Sequence, residues 1–332
     1  MAYGALSGAG AVGGGGVMPH GWIILDKPLE LGSTQAVAAV KRNLRAAGFN
    51  MKLKGGLKVG HGGTLDPLAT GVLPIAVGEA TKLCGRMLDA RKVYAFTVQF
   101  GRETDTLDLE GQVVAVSDHQ PGFGAVEAVL AARFTGEIDQ VPPAYSAIKV
   151  DGARAYDRAR AGELVEIPTR RVTIHGWEYI AEGFVGEWDR SEQYATLRVH
   201  VSKGTYVRSL ARDIALALGT RGHVTMLRRV RAGPFDLAQA ISLDMLNEIG
   251  KGAPLERYLL PLEAGLVDIP ALDLTPEQAG AVRQGRVLTG LAGDDGLYWA
   301  RLGATPVALL ALLHGEARVE RGFNMDVAEQ TI

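Results

Sequence analysis

The patterned part of the chain opens at Gly21-Trp22-Ile23-Ile24-Leu25-Asp26, an apolar run stopped by Lys27-Pro28, which reads as a strand. Ser33-Thr34 stands where a helix cap belongs, ahead of Val37, Val40 and Leu44 at helical spacing. Strand-like runs follow at 72–77 and 93–100. The turn Asp108-Leu109-Glu110-Gly111 predicts a hairpin into Val113–Val116. Residues 125–134 read as helix. Pro142-Pro143 opens a polar, Gly-containing stretch to Pro168, a long functional loop with a short helix inside it. Strands are predicted over 172–180 and 195–201. The clearest helix covers 206–218: Val207, Leu210, Ile214 and Leu218 share one face, with Thr205 and Gly219 as its caps. The composition changes between Pro261 and Pro270. A helix over 276–284 and strands near 297–302 and 307–313 then predict a small β-rich module. No internal repeat is evident. Strands and helices mix without regular βαβ alternation, which favours an α+β fold over a doubly wound sheet.

The length of 332 residues suits about two domains. With 47% hydrophobic and 22% charged residues, the chain can bury a sizeable core, so disorder is excluded as its main state. No apolar run approaches the ~20 residues of a membrane-crossing helix. The single cysteine, Cys84, excludes an internal disulfide and a zinc cluster, and makes the cytoplasm the natural compartment. Residues 1–19 are rich in Gly and Ala and lack Lys and Arg, so they read as a flexible extension and not as a signal peptide. Met18 is then a candidate start.

The net charge of −2 speaks against a nucleic-acid partner, but the average conceals patches. Six bases and no acid lie between Lys41 and Gly60; six arginines and one acid lie between Arg208 and Arg231. A phosphate backbone responds to the local field. A solvated helix face is the plainer reading of each patch.

Gly60-His61-Gly62-Gly63-Thr64-Leu65-Asp66-Pro67-Leu68-Ala69-Thr70-Gly71 is the most unusual segment. Its glycines allow close backbone approach, and Pro67 biases Asp66 toward an extended conformation. No Gly-Lys-Ser/Thr follows, so it is not a phosphate loop. Leu65 occupies the third glycine position of a dinucleotide fingerprint. A turn in which the aspartate caps a neighbouring backbone remains open on these residues alone. Thr104–Gly111 does not have the alternating acids of a calcium loop; a turn held by side-chain-to-backbone hydrogen bonds suits it better.

This glycine-rich segment, continued by Val72-Leu73-Pro74, resembles the catalytic motif of the TruB family of tRNA pseudouridine synthases. Six further segments fit that family in order and spacing: Leu25-Asp26-Lys27-Pro28, Gly78-Glu79-Ala80-Thr81-Lys82, Lys92-Val93-Tyr94, Thr104-Asp105-Thr106-Leu107-Asp108, Pro142-Pro143-Ala144-Tyr145-Ser146-Ala147 and Ser202-Lys203-Gly204-Thr205-Tyr206-Val207-Arg208. Together they cover about residues 20–235.

The resemblance implies the α+β pseudouridine synthase fold, a mixed and mainly antiparallel central sheet with flanking helices. It places the catalytic domain at 20–262, with a thumb-like RNA-binding loop at about 140–168, and a PUA-like β-rich domain at 265–332. It implies isomerisation of uridine 55 in the T loop of tRNA. The glycosidic bond breaks, uracil turns, and C5 rejoins the same sugar carbon. No group is lost and no redox change occurs, so neither cofactor nor metal is implied. The expected partner is the T arm of tRNA. A membrane, a guide RNA and an obligatory protein partner are not expected, and the chain is expected to be a monomer. A tRNA-folding role is a minor additional possibility. A non-catalytic RNA-binding module and the related guide-RNA-dependent synthases are the alternatives; the former is disfavoured by the intact residue set, the latter by the lack of an extended basic tail.

By the same match, Asp66 is the nucleophile. Attack at C1′, removal of a proton at C2′ and addition at C6 all stay open. Arg208 is its cation, offsetting the desolvation that would raise a buried carboxyl's pKa. Tyr94 would stack on uracil or move a proton. Tyr206 would contact the flipped nucleotide, and Leu227 would wall the base edge. His61 would touch RNA and fill the space that the extruded base leaves. Lys27 would support the site or touch a phosphate.

Overall fold

The computed structural model describes residues 18–51, 56–146, 148–150, 153–154, 158, 167–178 and 194–325. The expected N-terminal extension up to residue 17 lies outside them, as does about half of the expected thumb, including residues 155–157 and 159–166.

Apolar runs of alternating side form one large mixed sheet. Its strands are β1 (Gly21–Lys27), β2 (Val59–His61), β3 (Ala69–Val77), β4 (Lys92–Phe100), β7 (Gly136–Gln140), β10 (Arg170–Glu178), β11 (Tyr194–Val201), β12 (Gly222–Ala232), β13 (Phe235–Asp236) and β14 (Leu260–Pro261). The order is β14-β1-β3-β12-β4-β11-β10-β7, with β2 on β3 and β13 on β12. The β3–β12 pair alone is parallel among these ladders. Between the main strands lie two short ribbons, β5 (Arg102–Thr104) with β6 (Val113–Val116) and β8 (Lys149–Val150) with β9 (Ala153–Arg154). The β5–β6 ribbon is the hairpin that the turn at 108–111 predicts.

The helices are α1 (Ser33–Ala46), α2 (Cys84–Asp89), α3 (Phe123–Arg133), α4 (Val207–Ala217), α5 (Leu243–Gly250) and α6 (Pro276–Arg283). Period-2 alternation in β1 and β3 serves two cores at once. Ile23, Leu25, Leu73 and Ile75 pack with Val40 and Leu44 of α1 and Leu246 and Ile249 of α5. Trp22, Ile24, Val72 and Ala76 point to the other face, where Leu262, Leu266, Leu309 and Phe323 meet them. A third core joins Phe96, Val98 and Val199 of the sheet to Leu130 of α3 and Leu210 and Ile214 of α4.

Two caps differ from the sequence reading. The N-cap of α1 is Gly32, whose N–H donates to Gln35 Oε1 at 2.7 Å, while Ser33 is buried in the first turn and used elsewhere. The N-cap of α4 is Tyr206; Thr205 donates its hydroxyl back to Ser202 O at 3.0 Å. Gly219, after α4, has φ +75, as a helix-ending glycine does.

The C-terminal sheet runs β15 (Ala271–Asp273), β16 (Gly296–Leu302), β17 (Thr305–Leu313) and β18 (Glu316–Gly322) in that order. With α6 it encloses its own small core of Ala279, Val282, Ala300, Val307, Leu310 and Leu312.

Strand β12 is the main element absent from the sequence reading. It lies between β3 and β4, although its second half carries Arg228, Arg229 and Arg231. Those arginines do not form a free basic patch, nor do the others between 208 and 231. Arg208, Arg212, Arg221 and Arg228 pair with Asp66 and Asp108, Asp213, Glu103 and Asp26, and Arg229 and Arg231 donate to backbone carbonyls. The sign of the run survives, but most of its charge is spent inside the protein.

Candidate active site

The residues on both sides of Asp66 have their backbone fixed from three directions. One hydroxyl, that of Ser33, satisfies both backbone groups of Leu65: it donates to the carbonyl at 2.9 Å and accepts from the N–H at 2.8 Å. Arg229 reaches from β12 to donate to Gly63 O at 3.1 Å, Thr64 O at 3.3 Å and Val72 O at 2.7 Å. Pro67 O accepts from Lys27 Nζ at 3.2 Å and from Glu30 N at 2.9 Å. The side chain of Asp66 stays outside this scaffold and is 46% exposed.

Its carboxylate meets Arg208 Nη2 at 2.8 Å. Arg208, the second residue of α4, is itself held hard. Nη1 donates to Thr106 O at 2.9 Å and Asp108 Oδ2 at 3.0 Å, and Nη2 donates to Tyr145 O at 3.0 Å. The Arg208 and Asp108 side chains are both only 8% exposed. A buried guanidinium shared between two carboxylates has little rotational freedom. Asp108 is fixed in turn by the Thr106 hydroxyl and by Glu110 N at 3.0 Å. The turn at 104–111 is thus the side-chain-bonded turn expected, with Asp108 as its working residue.

Asp66, Tyr94, Tyr206, Arg208 and Leu227 line one cavity of about 340 Å³, within the range of small-molecule sites. The register explains how Tyr94 and Leu227 come together there. Leu227 stands opposite Phe96 on β4 and Ala69 on β3, and Arg229 stands opposite Tyr94. Tyr94 and Leu227 pack against both the α1–α5 core and the α3–α4 core, so the cavity sits where the two meet. Tyr206 is placed by Gln140, whose amide accepts from Tyr206 N at 2.8 Å and donates to Tyr206 O at 3.1 Å.

Two expected site residues stand elsewhere. Lys27 is fully buried, so it is not placed to touch a phosphate; its ammonium supports the loop through Pro28, Leu31 and Pro67 carbonyls. Burial pushes its pKa down to about 8, against the pull of Asp66. His61 lies in β2 opposite Ile75 and does not line the cavity. Its Nδ1 accepts from Gly63 N at 3.4 Å. Burial, with Arg229 nearby, holds its pKa below the usual histidine value. Among the described residues, no cluster of three or more His, Cys, Asp or Glu could hold a metal ion.

Ser33, Asp108, Gln140 and Arg229 escaped the sequence reading of the site. For Arg229 a signal existed: at strand period it shares a face with Leu227.

Tyrosine and leucine walls with a carboxylate at the rim suit a single planar ring taken out of a nucleic-acid stack. The fold agrees. A chain of a solved Cbf5–Nop10–Gar1 complex superposes with a TM-score of 0.65 at 25% identity, over 92% of this chain and 84% of that one. A chain of an H/ACA RNP bound to a substrate RNA gives 0.66 at 24% identity, over 91% and 84%. Fold and pocket, together with the family models and relatives that follow, define a pseudouridylate synthase.

Residues 49–207 match the N-terminal domain of TruB family pseudouridylate synthases, and residues 208–267 match the tRNA pseudouridylate synthase B C-terminal domain. The tRNA pseudouridine synthase B of Novosphingobium aromaticivorans is 71% identical over 316 residues, covering 94% of this chain and 100% of that protein. The Zymomonas mobilis protein of the same name is 55% identical over 305 residues, covering 92% and 96%. The chain belongs to the TruB family.

Proposed function

We propose that this chain converts uridine 55 in the T loop of tRNA to pseudouridine, with Asp66 as nucleophile and with neither cofactor nor metal. The pairing of Asp66 with Arg208 at 2.8 Å, at the edge of a cavity walled by Tyr94 and Leu227, carries this reading. The guanidinium favours the ionised carboxylate, the form that attacks C1′, takes the C2′ proton or adds to C6. A base entering the cavity stacks on Tyr94, meets Leu227 at its edge and displaces water from Asp66, which strengthens the ion pair. Tyr206, held by Gln140, faces the flipped nucleotide. His61, at the loop's entrance, takes the place that the base vacates in the T loop.

The chain acts alone, as a monomer in the cytoplasm, on the T arm and without guide RNA or membrane. The 71% identity to a tRNA pseudouridine synthase B, against 25% to the Cbf5 complex, favours this over guide-dependent action. We read the segment at 140–168 as the thumb and the sheet within 265–332 as a PUA-like domain. The base of that thumb hangs on α4, since Val141 O accepts from Ser209 and Arg212, and Tyr145 O from Arg208.

The test is purified chain and unmodified tRNA transcript, with pseudouridine mapped by position. Conversion at the T-loop uridine alone is expected, and Asp66→Asn is expected to bind tRNA without forming product. Turnover by Asp66→Asn refutes the nucleophile. Binding without conversion by the unaltered chain refutes catalysis and supports a tRNA-folding module.

A further inference from the structure

Three buried cations lie in or behind the wall of this cavity, and among the described residues none of them shares a hydrogen bond with a carboxylate. Lys27 donates to the carbonyls of Pro28, Leu31 and Pro67. Lys92 donates to those of Met87, Leu88 and Ala90, at the C-terminal end of α2. Arg229 donates to those of Gly63, Thr64 and Val72. Their exposures are 0%, 7% and 1%. Lys92 and Arg229 line the cavity itself.

Buried charges normally come with a counter-charge, because desolvation is costly and dipoles offset only part of it. Here backbone carbonyls supply the hydrogen bonds and leave the charge in place. The nearby ionisable groups do not cancel it. Arg229 acts on Lys27, Lys92 and His61, each in the direction of like-charge repulsion. Asp66 attracts Lys27 but is already paired with Arg208. Asp89 attracts Lys92 but is itself paired with Lys203 at the surface. Asp108 is taken by Arg208. Arg170 adds a further positive group to the cavity wall, and Tyr94 and Tyr206 are its other titratable groups.

We propose that Lys27, Lys92 and Arg229 form a fixed positive field that stabilises negative charge developing on the uracil during the reaction. The proposal rests on the function proposed above and does not depend on which path Asp66 takes. If Asp66 attacks C1′, the C1′–N1 bond breaks and its electron pair stays on uracil, spread over N1, O2 and O4. If Asp66 removes the C2′ proton, the pair from that C–H bond forms a C1′–C2′ double bond and uracil leaves with the same charge. If Asp66 adds to C6, the C5–C6 π pair moves into the ring as an enolate. In the first path C5 then attacks C1′, the carboxylate departs, C5 loses its proton and N1 gains one, so atoms and charge balance. Every path passes through an anionic base, and preorganised charge there lowers the barrier without reorganisation. Lys92 and Arg229 do this from the cavity wall, and Lys27 from behind the loop it braces.

The field has its own pH signature. Burial pushes Lys27 and Lys92 each down to about 8, so both are charged at neutral pH and lose charge as pH rises through that value. Lys92→Met removes the charge and shortens the side chain by one atom. Single-turnover rates with enzyme in excess over tRNA transcript are compared at pH 7 to 9.5. At pH 7 the variant is expected to be slower by tenfold or more, with the tRNA Kd within threefold of the unaltered protein. The ratio of the two rates should converge above pH 8, where the unaltered protein loses the same charge; any titration of the substrate cancels in that ratio. Lys92→Arg, which keeps its charge, should gain on the unaltered protein over the same interval, and it serves where Lys92→Met fails to fold. A ratio that stays constant with pH, or a loss confined to tRNA binding, overturns the proposal. Product formation by the unaltered chain is the separate control: without it the proposed function fails first.

Discussion

Asp108 offers the sharpest test of how the site is held together. Asp108→Asn changes one atom in a buried ion pair whose two side chains are each 8% exposed. Arg208 Nη1 loses its charged acceptor at 3.0 Å and keeps Thr106 O at 2.9 Å. Neither amide orientation is free of conflict. One points the new NH₂ at Arg208; the other points it at Glu110 N, which now donates to Asp108 at 3.0 Å. Breaking one partner of a buried pair costs about 3–5 kcal/mol. Part of that is felt as stability and part as a looser Arg208. If about 2 kcal/mol of it is lost from the transition state, kcat falls about 30-fold. Single-turnover conversion of a tRNA transcript measures this, beside tRNA binding and thermal unfolding of the same variant. The expected result is a kcat 10- to 100-fold down, a Kd nearly unchanged and a lowered Tm. A kcat within twofold of the unaltered protein would refute the reasoning, because Asp108 would then be scaffold for the turn and nothing more.

Gln140→Ala removes two hydrogen bonds to the Tyr206 backbone, each worth about 0.5–1.5 kcal/mol. KM for tRNA should rise by about 5- to 150-fold with a smaller change in kcat, and steady-state kinetics would show it. Gly71→Ala places a methyl group 2.2 Å from Arg229 O at a φ of +100, so unfolding should occur several degrees lower. Alkaline pH should separate stability from activity. The unfolded chain keeps lysine protons up to about 10.5 and the folded one releases those of Lys27 and Lys92 at about 8. Between these values the unfolded state binds more protons, so these two groups favour folding more as pH rises, and urea midpoints against Lys92→Met would reveal it.

How much was legible in the sequence follows from what each residue had to signal. β1, β3, β4, β11 and α4 carry apolar periodicity that local physics reads directly. β12 was missed because its second half is arginine-rich, and a buried arginine is outside what composition predicts. Its guanidinium groups are accommodated by partners distant in sequence: Arg228 by Asp26 and Arg229 by Val72 and Gly63. The same holds for the caps. Ser33 has the residue type of a helix cap, but Leu65 claims its hydroxyl. Asp66, Tyr94, Tyr206, Arg208 and Leu227 are named through the resemblance to the family, and all five line one cavity, to which the sheet register brings Tyr94 and Leu227. Motifs name residues that touch substrate more readily than those behind them, so the roles of Asp108 and Gln140 stay hidden, although Asp108 ends one quoted segment and Gln140 lies two residues before another.

The C-terminal sheet is not a pendant. Lys82 Nζ donates to Gly322 O at 2.8 Å, and Leu309 and Phe323 share a core with the first strand of the catalytic sheet. A shortened protein ending near residue 262 would carry a bare greasy scar beneath β1, two strands away from Leu227. Weak tRNA affinity in such a fragment would therefore report sticky, half-melted protein as much as any missing RNA contact. Charge reversals on the outer face of β18, which leave that seam closed, are the cleaner way to ask what the appendage binds.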